Sequence, residues 1–138
     1  MRHRTAISIL VVLLGFRVSS RAAEPLACNV KALSDSQRER HRLLTEKLGS
    51  AMVGRTELPD GYALVLDLKR LPPDAAGEPF CVVEVAEWMD LEARCCPFVD
   101  FAVEMKGSGG PMRLRLTGGE GVKEFLKAEW PLARAAAR

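Results

Sequence analysis

From Ser34 onward the hydrophobic positions follow two rhythms, one helical and one of strict alternation. Ser34 to Leu48 has the helical spacing. Ser34-x-x-Gln37 is a capping box, in which each side chain satisfies the other residue's free backbone N–H. Gly49 suits a C-terminal cap. The apolar stripe is narrow, with Leu44, Leu48 and His41, and Arg38, Glu39, Arg40, Arg42, Glu46 and Lys47 cover the remainder, so this helix belongs on the outside of the domain. Val53 to Leu68 predicts a hairpin. Pro59-Asp60-Gly61 supplies its turn, since Asp-Gly tolerates positive φ, and Tyr62, Leu64, Leu66 and Leu68 alternate with Ala63, Val65 and Asp67. Residues 71–79 form a proline-rich loop.

The second half repeats the pattern without repeating the sequence. Phe80 to Cys96 predicts the most apolar helix, with Val82, Val85, Trp88, Met89 and Leu91 inward and Pro97 as its stop. Val99, Phe101, Val103 and Met105 alternate with polar positions, as do Met112, Leu114 and Leu116 with Arg113 and Arg115, on either side of a Gly-rich loop at 106–111. A last helix follows Gly121, with Val122, Phe125, Leu126 and Trp130 inward. The order α-ββα-ββα predicts an α+β fold: a four-stranded antiparallel sheet from two hairpins, with helices packed on one face. Arg113 and Arg115 on the open face are placed to meet Asp100 and Glu104, or simply solvent.

The amino-terminal stretch breaks this pattern. Arg2, His3 and Arg4 precede an apolar run from Thr5 to Phe16, and Ser20-Arg21-Ala22 ends it with a small-x-small site. This is the layout of a secretory signal peptide over residues 1–22, which leaves a single domain at 23–131 and a frayed Ala- and Arg-rich tail at 132–138. The expected location is therefore exported, periplasmic or extracellular. The apolar run is too short for a stable membrane span after cleavage. Among 138 residues the full chain has 20 Lys and Arg against 18 Asp and Glu, but four of those arginines lie in the leader. Without them the balance turns slightly acidic, and with no basic run this argues against nucleic acid as a partner.

Four cysteines survive cleavage: Cys28, Cys81, Cys95 and Cys96. On a continuous helix Cys81 and Cys95 lie about 21 Å apart, whereas a disulfide needs Cα atoms within about 7 Å. Cys81 therefore reads as a small buried apolar residue. Cys28, ahead of the first helix, can reach the 95–96 pair and would close a loop of nearly 70 residues, worth roughly 4 kcal/mol by chain entropy. The Cys95-Cys96 pair has four readings: one thiol bonded to Cys28 with the other free, a vicinal disulfide, two inert buried thiols, or a soft-metal or metalloid site shared with Cys28. Thiolates suit Cu(I), Hg(II) or As(III) by softness. Structural zinc fits less well, for want of Cys-x-x-Cys spacing and with only His41 left among histidines. A nucleophile fits worse, because a helix C-terminus and Glu92 one turn back both disfavour a thiolate, with Arg94 a partial counterweight. Asp90 and Glu92 read as acids on a helix surface with no histidine nearby in sequence. Gly118, Gly119 and Gly121 before the last helix read as turn and cap residues, with Glu120 opposing an anion there.

Three stretches carry a family likeness: Ala27-Cys28-Asn29, Glu92-Ala93-Arg94-Cys95-Cys96-Pro97-Phe98, and Leu116-Thr117-Gly118-Gly119-Glu120-Gly121-Val122-Lys123-Glu124-Phe125-Leu126. Leu58-Pro59-Asp60-Gly61-Tyr62 adds to it. Over residues 26–130 the chain resembles a group of small uncharacterised bacterial proteins with a Glu-x-x-Cys-Cys-Pro-Phe motif. The resemblance implies that Cys28, Cys95 and Cys96 belong to the shared pattern and Cys81 does not. Members without a leader imply a thiol site that works reduced.

The expected site is therefore Cys28, Cys95 and Cys96, with Glu92 as an oxygen ligand or a supporting group. Three functions compete: a soft-metal or metalloid binder, a structural or partner-binding domain stapled by a disulfide from Cys28 to Cys95 or Cys96, and a thiol-dependent enzyme. The balance leans away from the enzyme, and no catalytic residue is assigned.

Overall fold

A computed structural model describes residues 26–129; the expected leader, Trp130 and the tail lie outside the described residues. The first helix, α1 (Asp35–Ala51), begins where its capping box places it. Ser34 Oγ accepts the Gln37 N–H, and Gln37 Oε1 accepts the Ser34 N–H at 2.9 Å. Gly49 is not its cap. The helix runs on to Ala51, which is fully buried, and Met52 closes it with extended backbone that leads straight into a strand. A chain that leaves a helix in the extended direction has no need of a left-handed glycine. Leu44, Leu48 and Ala51 form the inner face.

The hairpin comprises β1 (Met52–Leu58) and β2 (Gly61–Leu66). Its turn contains no positive φ, contrary to the Asp-Gly expectation. Gly61 serves another purpose: it opens β2 at the point where the β4 backbone passes closest, and a Cβ there would collide with the carbonyl of Leu116. Beyond Leu66 the strand does not continue to Leu68. Asp67 Oδ1 accepts the Lys69 N–H and turns the chain into a single 3-10 turn, Leu68–Arg70.

After the proline-rich loop come α2 (Val82–Cys95), β3 (Val99–Glu104), β4 (Met112–Gly118) and α3 (Val122–Glu129). The result is an α+β fold with a fully antiparallel sheet in the order β1-β2-β4-β3. Pairing of Tyr62 with Leu116, Leu64 with Leu114 and Leu66 with Met112 puts six apolar side chains on the helix-covered face at the sheet centre. The open face carries Asp100, Ala102, Glu104, Arg113 and Arg115. Register sets Glu104 opposite Arg113, but Arg115 faces Ala102 and Asp100 faces Thr117, so only one of the expected charge pairings is directly opposed. Trp88 on α2 is wholly buried, meets Phe101 edge-on at 5.9 Å between ring centres, and donates Nε1–H to Thr45 Oγ1 of α1 at 2.9 Å. Cys81 is not in the core as expected. It stands half-buried just before α2, where the chain arrives in extended conformation. Among the described residues no helix is long and apolar enough to cross a membrane.

Because the β4 backbone fills the space beside Gly61, Gly61→Ala is expected to lower unfolding stability by about 3 kcal/mol. Gly119→Ala, where a Cβ meets nothing within 4 Å, should be near neutral. Urea titrations of the two variants check the contrast.

Candidate functional site

The site grows from one stripe of α2. Val85, Trp88, Glu92 and Cys95 recur at three- and four-residue steps and are all buried. Cys96, four residues beyond Glu92, continues the same stripe, and Pro97 stops the helix there. Cys96 leaves helical backbone, with φ −124° and ψ 67°, while its N–H still bonds to the Glu92 carbonyl at 2.7 Å. Both cysteines are buried, at 3% and 0% exposure. Their sulfurs lie 3.9 Å apart.

The third sulfur arrives from the segment ahead of α1. Asn29 donates its backbone N–H to the Cys95 carbonyl at 2.7 Å, which satisfies one of the open carbonyls at the end of α2. Next to that contact Cys28 forms a disulfide with Cys96, with Cα atoms 4.7 Å apart across 68 residues of sequence. Of the pairings left open by the sequence, this is the one formed. Cys81 and Cys95 remain free thiols, and the length of α2 keeps them from pairing with each other.

Glu92 differs from its expected place. Asp90 is indeed on the surface, paired with Arg94 at 2.6 Å, but Glu92 is 5% exposed and has a histidine partner. Its Oε2 lies 2.5 Å from His41 Nε2. His41 stacks on the Trp88 indole at 6.1 Å with planes 16° apart. The His41 carbonyl accepts Thr45 Oγ1–H, and Thr45 in turn holds Trp88. The reason for the discrepancy is the stripe itself: Glu92 shares the 85–88–95 face, which is covered by α1, and is not on the outer face with Asp90. His41 is the residue missed as a functional partner. A signal for it existed, because His41 and Glu92 are the one imidazole and the one carboxylate on two apolar stripes that must face each other.

Cys95 Sγ–H donates to the Glu92 carbonyl at 3.4 Å. Burial first, and the nearby Glu92 carboxylate second, push its pKa up to about 11. That is the opposite direction from an activated nucleophile. One ligand atom from each of Cys28, Glu92, Cys95 and Cys96 lies within 4.8 Å of all the others. The geometry thus gathers every one of the four expected site residues. It can hold a disulfide beside a spare thiol or, once that bond is reduced, three thiols beside a carboxylate. A formed disulfide is compatible with an oxidising compartment. Compared with known proteins, the chain matches no family model, no curated protein and no solved structure.

Peptide mapping without reductant should recover Cys28 linked to Cys96, and reduction should lower unfolding stability by about 4 kcal/mol. A pH series tests Cys95. Its folded pKa is raised, so its contribution to stability is whole below the ordinary thiol value near 9 and is lost as pH rises through about 11. The alkaline fall in stability should therefore be smaller in Cys95→Ala than in the parent protein.

Proposed function

We propose that this is an exported protein that, with its Cys28–Cys96 bond reduced, binds a soft thiophilic ion of the Cu(I), Hg(II) or As(III) kind. The observation that carries the reading is the convergence of Cys28, Cys95, Cys96 and Glu92 within 4.8 Å. Three soft donors drawn from segments 68 residues apart form a set that thiophilic ions match by softness. Glu92, with His41 behind it, is the arrangement of a supporting carboxylate whose orientation is set by a second group. The likeness to leaderless proteins with the Glu-x-x-Cys-Cys-Pro-Phe motif supports a site that works as thiols. The leader-like amino terminus supports export, with the disulfide as the resting form.

A second reading is favoured by one observation, the formed Cys28–Cys96 bond itself. On that reading the bond is a permanent staple of a structural or partner-binding domain. The two readings part on one titration. Under the first, the reduced full chain takes up one equivalent of Hg(II) or Cu(I) in isothermal calorimetry, and the double variant Cys95→Ser/Cys96→Ser weakens uptake by roughly 100-fold, the usual order for lost multidentate attachment. Unchanged uptake in the double variant, or none in the parent, leaves only the staple.

A further inference from the structure

Resting on the soft-ion reading, we infer that the ion this site selects is a trivalent metalloid, As(III) or its heavier congener Sb(III), held by Cys28, Cys95 and Cys96 together. The first argument is the donor count. Three sulfurs converge, and the fourth candidate, Glu92, has one of its two carboxylate oxygens, Oε2, engaged by His41 at 2.5 Å. A trivalent metalloid makes three bonds to sulfur in a pyramid, keeps a lone pair on its fourth side and needs no further ligand. Divalent zinc-like ions want four donors.

The second argument is charge. The two sulfurs carried by the end of α2 are buried, with Cys95 and Cys96 at 3% and 0% exposure. They lie at the C-terminal end of α2, where the helix carbonyls disfavour added negative charge. Net charge in such surroundings is costly. Three thiolates around Cu(I) leave two negative charges, and around a divalent ion one. Around As(III) they leave none. A divalent ion can also reach neutrality, but only by using two of the sulfurs and leaving the third idle.

The chemistry balances without a base or an electron acceptor. Two equivalents of a low-molecular-weight thiol first reduce the Cys28–Cys96 bond and leave as their own disulfide, which yields two cysteine thiols beside Cys95. Arsenite, As(OH)₃, then exchanges its three As–O bonds for three As–S bonds. Each thiol proton departs with a hydroxide as water, so three waters are released and arsenic stays trivalent. Cys28 is the least buried of the three sulfur-bearing residues and stands on the segment outside the helices, which makes it the point of entry.

The test uses the reduced full-length chain, kept free of oxygen, with sodium arsenite and Hg(II) as probes. X-ray absorption at the arsenic edge should count three sulfur neighbours. Each of Cys28→Ser, Cys95→Ser and Cys96→Ser should weaken arsenite binding by roughly 100-fold, while Hg(II), which needs two sulfurs, still binds tightly to all three variants. The retained Hg(II) binding shows that the variants are folded at the site, and the sulfur count on the parent protein needs no variant at all. Two sulfur neighbours, or one single variant with full arsenite affinity, would overturn the metalloid assignment while Hg(II) binding keeps the soft-ion reading intact. If neither ion binds the reduced parent, both fall.

Discussion

A carboxylate on the inner stripe of a helix is the constraint around which this structure is arranged. Glu92 is almost fully buried, and such a group is tolerated only when its hydrogen-bonding capacity is met. His41 meets it from α1, and that contact ties α1 to α2. The ties that follow are consistent with it: His41 stacks on Trp88, Trp88 bonds to Thr45, and at the rim Arg40 and Lys47 reach Glu84, with Arg40 also on Glu87. Among the described residues no buried side-chain nitrogen or oxygen lacks a partner. The backbone of Glu92 matters as much as its side chain. Its carbonyl receives both the Cys95 thiol and the Cys96 N–H, so the placement of this residue also sets where the two sulfurs stand.

Much of this was legible in the chain because it depends on local rules. The capping box at Ser34 and Gln37, the alternation from Tyr62 to Leu66 and from Met112 to Leu116, and the stop at Pro97 each specify structure within a few residues. Legibility failed where the decisive neighbour is remote. Gly49 looks like a cap because glycine commonly is one, yet the helix runs past it to the buried Ala51. Gly61 looks like a turn residue, yet its lack of a side chain is needed by β4, which lies more than 50 residues later in the chain. The site followed the same division. Cys28, Cys95, Cys96 and Glu92 could be named from residue type and spacing. The partner of Glu92 is harder to see, because His41 lies 51 positions earlier and only the expectation that two apolar stripes face each other points to it.

The electrostatic character of the sulfur cluster follows from its address. At the end of α2, under α1 and beside a carboxylate, a lone thiolate is disfavoured, and the Cys95 thiol responds with a raised pKa. Environments of this kind do not make nucleophiles. They favour sulfur in forms that carry no net charge, whether a disulfide, a thiol or a neutral complex. The formed Cys28–Cys96 bond beside a protonated Cys95 is one such state.

One sulfur of the cluster is delivered by a strap, while the other two are built into the body of the fold. Residues 26–29 contribute no strand to the sheet, and their attachment to the end of α2 runs through the Asn29 N–H and the Cys28 sulfur. Whatever joins the three sulfurs therefore also acts as a pin between tail and body. Withdrawing the pin leaves this segment held by the Asn29 N–H and by the packing of Leu26 on the core, so the state of one sulfur decides how many anchors the approach to α1 retains.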